Sequence, residues 1–291
     1  MNGADVAAID LESARPTAVV AAMAAELEPL QARLRGARRL TAGGARVTVG
    51  TLGGAPVALA ATGDGAINAR RGLAALVAAV RPSRIIVVGV AGGLSPGLSR
   101  AAVVAGVRVI DEESGAVHGG DAGFLAAAEA VGIPRGCVVS AIRIADSADE
   151  KRRLLALVSA RLESSVGAET AAMPAVVDLE SAAFVAAATR VNLPWLVLRA
   201  VSDLGEESLP DILNRSRGDR GSVSRLKVLG GMLLDPRLVR PLLALRGHVD
   251  ACARSLADGV QAVLSTDTFR QPIVAAAAPR RRAAAGDPTE R

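Results

Sequence analysis

The sequence predicts an α/β protein, a three-layer α/β/α sandwich around a mixed, mostly parallel and twisted central sheet. Three observations carry this. Short runs rich in Val and Ile alternate along the chain with segments whose apolar residues fall at helical spacing. The runs "SRIIVVGV" and "VVAGVRVI" are apolar at nearly every position, as strands covered on both faces are. Gly53-Gly54 joins two shorter runs as a hairpin, so part of the sheet is antiparallel.

"TAVVAAM" (17–23) is the first strand, and "AAELEPLQARLRG" is a helix ended by Gly36. Strands at 46–52 and 56–61 flank the Gly-Gly turn. A helix at 66–80 has apolar residues on one face. The two continuous strands come next, then a helix "DAGFLAAAEAVG" and a strand "GCVVSAIRI". "DSADEKRRLLALVSA" is a helix whose Asp146 and Ser147 are placed to cap its first turn. Strand 175–178, helix 180–191 and strand 195–201 complete the alternation. Beyond Asp203 the pattern is helical, with an Asp235-Pro236 start signal. Leu238, Leu242, Leu245, Val249, Cys252 and Leu256 then form one stripe. The stripe suits packing against the domain or a partner subunit. Arg237, Arg240, Arg246 and Arg254 beside it make a weak membrane-surface association the second reading.

At 291 residues and 51% hydrophobic, the chain can bury one large core. The organisation expected is a flexible leader over 1–15, a single domain over 16–265 that includes the C-terminal helices, and a disordered basic tail over 266–291. The net charge is +5, but residues 270–291 alone carry five Arg and two acids, so no nucleic-acid groove is supported. Lys151 and Lys227 are the only lysines, which reads as GC-rich coding bias rather than function. Cys137, Cys252, His118 and His248 are isolated, so neither a metal site nor a disulfide framework is expected. The acidic start and the lack of a long apolar run point to the cytoplasm. Aromatic residues are 1%, so any pocket is walled by aliphatic side chains and backbone.

Ligands of α/β sheets bind beyond the carboxyl ends of strands. The segments at those ends are "AAMAAELEPL" with Glu26, "ATGDGAINARRG", "GVAGGLSPG", "DLES" and "SDLG". Taken singly, Glu26 and Glu180 would suit solvated first turns of helices, and Asp203 the N-cap of a helix over 204–213. Gly92 and Gly93 would suit a strand-to-loop turn with positive φ, or a backbone that a flat ligand approaches closely. Together they are three acids at sheet-end positions around Gly-rich loops. "GDGAINA" is not a dinucleotide fingerprint, because no Asp or Glu occurs from Gly65 to Ile110 and the third glycine is missing. It reads instead as a tight turn at a helix N-terminus that can hold an anion or a polar substrate group.

On "AAMAAELEPL", "TGDGAINA", "GVAGGL", "VVDLES" and "LRAVSDLG", in this order, the chain resembles the nucleoside phosphorylase and nucleosidase superfamily. That superfamily includes purine nucleoside phosphorylases and methylthioadenosine/S-adenosylhomocysteine nucleosidases. The resemblance implies catalytic roles for Asp203, which protonates or hydrogen-bonds the purine at N7, and for Glu26, which activates water. It implies that Glu180 grips the ribose hydroxyls and that Leu179 replaces the usual Met against the sugar. Asp178, Ser202, Gly65, Ala91 and Gly92 complete the expected substrate-binding set. Asp178 stands where the nucleosidases carry the first Glu of "EME". No cofactor or metal is implied, and the expected partners are a small nucleoside and further copies of the chain.

Phosphorylases of this superfamily place an Arg just before "GSxG" to hold phosphate. Here Val87 and Val90 stand in "VVGVAGG". Phosphate as co-substrate would need Arg70, Arg71 or the amides of the "TGDGA" turn, so water is the favoured acceptor of the sugar. No aromatic ring is in evidence to stack on adenine, since Phe124 and Phe184 lie in helices. The segment from "VSDLGEESLPDIL" onward is similar to hopanoid-associated nucleoside phosphorylases, thought to release adenine from the lipid nucleoside adenosylhopane. The substrates implied are that lipid nucleoside or a soluble one such as methylthioadenosine. A binding protein that has lost catalysis is the non-enzyme alternative, which the retained acids disfavour.

Overall fold

The structure, a computed structural model, describes residues 15–42, 45–163, 173–210, 212–215 and 239–270. The leader, apart from Arg15, the Asp235-Pro236 start signal with Arg237 and Leu238, and the tail from 271 lie outside the described residues.

The strands are β1 (Thr17–Ala21), β2 (Arg35–Ala42), β3 (Ala45–Leu52), β4 (Ala55–Ala61), β5 (Arg84–Gly93), β6 (Val103–Asp111), β7 (Val117–Gly119), β8 (Arg135–Ser140), β9 (Ala175–Asp178) and β10 (Trp195–Asp203). The helices are α1 (Ala24–Arg33), α2 (Ala66–Val80), α3 (Ala122–Ala130), α4 (Ala148–Glu163), α5 (Ser181–Arg190), α6 (Ile212–Arg215), α7 (Val239–Leu264) and α8 (Asp267–Arg270). All strands join one mixed sheet. β1 pairs in parallel with β4 and β5, and the hairpin strands β2 and β3 extend the β4 edge antiparallel.

The other half of the sheet closes on itself. β5 runs parallel to β10, β10 antiparallel to β6, β6 parallel to β8, and β8 parallel to β9. The last two residues of β5, Gly92 and Gly93, then pair antiparallel with Val177 and Val176 of β9. Closure removes the free edge a sheet would otherwise expose. It also brings the ends of β1, β5, β9 and β10 to one mouth.

Helices cover both faces. α2 and α5 bury Leu73, Leu76, Phe184 and Val185 on one side. α1, α3 and α7 bury Leu27, Leu30, Phe124, Leu256 and Val260 on the other. α4 seals β8 and β9 with Leu154 and Val158. Of the apolar stripe on α7, Cys252 and Leu256 are fully buried and Leu242 nearly so, Leu245 and Val249 are half-buried, and Arg240, Arg246 and Arg254 are exposed. Among the described residues, no helix is long and apolar enough to cross a membrane.

Several boundaries differ from expectation. The first helix stops at Arg33 and β2 begins at once. Gly36, at φ 62, makes a bulge in that strand rather than a helix cap. β2 is an outer strand with almost wholly exposed side chains, so its sequence carries no alternation to read. β8 ends at Ser140, short of Ile144. Gly92 and Gly93 continue β5 and do not turn with positive φ. Asp203 closes β10 and caps no helix, and the next helix is the single turn α6. Ser147 caps α4 by accepting from the Glu150 amide at 3.2 Å, whereas Asp146 accepts from Asn214 at 2.6 Å.

Candidate active site

Beyond the mouth of the closed strands lies a cleft of about 320 Å³. Glu26, Asp178, Leu179, Glu180, Ser202, Asp203, Ala91 and Gly92 all line it. The three acids singled out by the sequence are withdrawn from bulk solvent, at 2% exposure for Glu26, 8% for Glu180 and 4% for Asp203. Gly65 does not line the cleft but acts on it through its amide.

Glu26 sits on the first turn of α1. Its Oε2 accepts from the Met23 amide at 2.9 Å and its Oε1 from the Val90 amide at 2.9 Å. Two backbone donors thus fix both oxygens. Burial raises its pKa, against the lowering pull of Arg199 and of those two amides.

Glu180 stands just before α5. Its Oε1 accepts from the Gly65 amide at 2.8 Å. At the "TGDGA" turn the Gly65 amide is thus occupied by the protein's own carboxyl group. Gly65 has φ 88, which only glycine adopts without strain. Burial, then the neighbouring Asp178 charge, pushes the Glu180 carboxyl up to about 7, while the Gly65 amide and Arg199 oppose the rise.

Asp178 ends β9 and faces Arg199 of β10, with Nη2 to Oδ2 at 2.5 Å. Ser140 donates to Asp178 at 2.7 Å, and Arg199 also donates to Ser181 at 2.9 and 3.1 Å. The guanidinium passes over Gly89, where a Cβ would lie 1.8 Å from Nη1.

Asp203 comes after a register shift at the end of β10, which turns its side chain toward the cleft. Ser202 Oγ lies 2.6 Å from Asp203 Oδ1, and Lys151 Nζ lies 2.5 Å from Oδ2. Gly92 leaves room for this carboxylate, since a Cβ there would stand 3.0 Å from Oδ2. Asp203 is thus the nearest group to the space that a Cβ at position 92 would fill.

Sequence reasoning missed two cations. Arg199 is a charge inside a fully buried strand, and that interruption was its signal. Lys151 is 1% exposed and falls in a helix whose local pattern does not mark it as buried. Arg70 and Arg71 are exposed on α2 and do not line the cleft. Among the described residues the lining includes no aromatic side chain: Phe124 stacks on Phe269 and Phe184 is buried in the core. The far wall is apolar, made by Ile144, Ala145, Leu209, Leu213, Leu245 and Val249. No group of three His, Cys, Asp or Glu among the described residues could hold a metal ion.

A family description, Phosphorylase superfamily, matches residues 16–225. The fold is that of a solved 5′-methylthioadenosine/S-adenosylhomocysteine nucleosidase from S. pneumoniae with a transition-state inhibitor. The TM-score is 0.64 and the identity 18%, over 86% of this chain and 98% of that one. The nucleosidase of the same name from Neisseria meningitidis, in complex with methylthio-immucillin-A, matches with TM-score 0.64 and 20% identity over 86% and 99%. A futalosine hydrolase of Helicobacter pylori matches with TM-score 0.65 and 14% identity over 87% and 98%.

Proposed function

The chain belongs to the phosphorylase superfamily, and on that premise we propose that it cleaves the N-glycosidic bond of an adenine nucleoside by hydrolysis. One observation carries the reading: Glu26, Glu180 and Asp203, from three distant parts of the sequence, converge on a single cleft sized for a sugar and its base. An N-glycosidic bond breaks through an oxocarbenium-like sugar. Glu26, fixed by two amides, orients the attacking water and takes its proton. Glu180 accepts from the ribose hydroxyls and fixes the ring. Leu179 packs on the sugar. Asp203 faces the purine at N7 and stabilises it as it departs.

The charge balance favours water over phosphate. Glu26, Asp64, Asp178, Glu180 and Asp203 border the cleft; Arg199, which lines it, is engaged with Asp178, and Lys151, outside the lining, with Asp203. The Gly65 amide is taken by Glu180. Among the described residues no uncommitted cation lines the cleft to meet a phosphate dianion, whereas its carboxylates stabilise a developing positive sugar. The apolar wall, continued by Leu245 and Val249 of α7, suits an aliphatic 5′ substituent, whether a lipid of the adenosylhopane type or a short thioether.

The test is base release from adenosylhopane, methylthioadenosine and adenosine, with and without phosphate. Free adenine without phosphate is expected. A strict requirement for phosphate would overturn hydrolysis, and no release from any of the three would overturn the reading itself.

A further inference from the structure

We propose that Asn214 is a positioning residue: it ties the connection after β8 to the connection after β10, and so holds the apolar wall of the cleft in the shape that binds substrate. The proposal rests on the reading of the cleft as a nucleoside site. It adds to that reading a residue that does not itself line the cleft.

Both connections leave the sheet, and their backbone groups need partners from elsewhere. The first runs from the end of β8 at Ser140 to the start of α4 at Ala148, and it puts Ile144 and Ala145 on the cleft. The second runs from the end of β10 at Asp203 to the single turn α6, and Leu209 and Leu213 line the cleft from it. A lone turn of helix does not persist unaided. Lys151 holds the start of the second connection, donating to the Leu204 and Glu207 carbonyls at 2.6 and 2.9 Å. Farther along, its partners come from the first connection.

Asn214 joins the two. Its Oδ1 accepts from the Ile144 amide at 3.1 Å, and its Nδ2 donates to the Ile144 carbonyl at 2.8 Å and to Asp146 Oδ2 at 2.6 Å. The Leu209 amide adds a bond to the Asp146 carbonyl at 2.8 Å. The side-chain amide thus pairs with Ile144 as a residue of a neighbouring strand would, donor to acceptor and acceptor to donor. Turned over, it would set its NH2 against the Ile144 N–H and its oxygen against two acceptors, so the contacts fix which way it faces. Asp at this position would lack the donors, and Ala would lack both kinds of group. Ile144 and Asp146 flank Ala145, which is 4% exposed, and Leu213 precedes Asn214 in the chain. The four apolar side chains of this wall therefore follow the position of one amide group.

The acids are held by other means. The hydrogen bonds of Glu26 run to Met23 and Val90, that of Glu180 to Gly65, and those of Asp203 to Ser202 and Lys151. Loosening the wall should weaken the hold on substrate and transition state alike and leave the chemical step to the acids. Uniform binding of this kind shows in KM and not in kcat.

The test is the kinetics of base release from the best of adenosylhopane, methylthioadenosine and adenosine. Asn214→Ala should raise KM at least about fivefold and leave kcat within about twofold of the wild type. Asn214→Asp removes the donors and sets a carboxylate beside Asp146, so its KM should rise further. Adding Asp146→Asn to it restores a donor between the two positions and should bring KM back to the Asn214→Ala value or below. A residue that served stability alone would give no such rescue in KM. Wild-type KM in Asn214→Ala, a fall in kcat at unchanged KM, or a double variant no better than Asn214→Asp would each overturn the proposal. If Asn214→Ala does not fold, Asp146→Ala removes one bond of the set and should still raise KM about twofold or more; an unchanged KM there overturns the proposal. The glycosidase reading fails separately, on a wild type that releases no base from any of the three. Hydrogen exchange of the Ile144 amide then decides the tie: it should quicken at least about tenfold in Asn214→Ala, and an unchanged rate would overturn it.

Discussion

Arg199 and Asp178 form a buried ion pair at 2.5 Å, and the same guanidinium draws on Glu26 and Glu180. One cation thus holds in place the carboxylate cluster on one wall of the cleft. Such a pair contributes little net stability against an apolar substitute, but breaking it strands a buried charge.

Asp178→Asn should therefore cost about 3 kcal/mol or more of folding stability at neutral pH. Urea unfolding at pH 7 measures it. A loss below about 1 kcal/mol would mean that Ser181 and the neighbouring carboxylates take over the guanidinium. The same substitution removes the negative charge that helps to raise the Glu180 carboxyl, so that group should titrate below about 7 in the variant.

Gly89 pairs with Arg199 across β5 and β10, and the guanidinium lies where a Cβ would be, 1.8 Å from Nη1 and 3.0 Å from Glu26 Oε1. Gly89→Ala should cost on the order of 1–3 kcal/mol through forced displacement. It should also slow base release, because Arg199 and Glu26 must both shift. Thermal unfolding and turnover read these effects, and wild-type values in both would show that the lane over Gly89 can widen freely.

Glu180 supplies a pH dependence of known sign. Its carboxyl is pushed from 4.5 up to about 7 in the folded protein. Between those values the native state holds a proton that the unfolded chain has released, so stability falls as pH rises through this window. The contribution is on the order of 3 kcal/mol, fully present below pH 4.5 and lost above about 7. Glu180→Gln keeps an acceptor for the Gly65 amide and should remove this dependence, leaving the variant more stable than the wild type at pH 8. Unfolding at pH 5 and pH 8 provides the comparison, and the variant fails the expectation if its slope matches the wild type. Sugar affinity should drop in the variant, since a neutral amide accepts ribose hydroxyls more weakly.

The fold was legible where local pattern and burial coincide. α2 (Ala66–Val80) and β9 (Ala175–Asp178) fall where apolar spacing places them. The Gly53-Gly54 turn has φ 60 and 84, as a tight hairpin requires. β2 was not legible, because an outer strand with Arg35, Arg38 and Arg39 exposed has no inner face to mark it.

Within the site, Glu26, Glu180 and Asp203 could be named from their places after strands. Arg199 at least interrupts an apolar strand, but neither its partner nor that of Lys151 could be named, because the counter-charge of each lies elsewhere in the chain. Lys151 and Asp203 are 52 residues apart in the chain, and Arg199 and Asp178 are 21. By itself the sequence determined the order of elements, the apolar faces that drive their burial, and the acids at the strand ends. Tertiary structure alone decided which carboxylate each cation neutralises, because hydrophobic pattern is written in neighbouring residues while Coulomb attraction acts between groups that only the closed sheet brings within bonding distance.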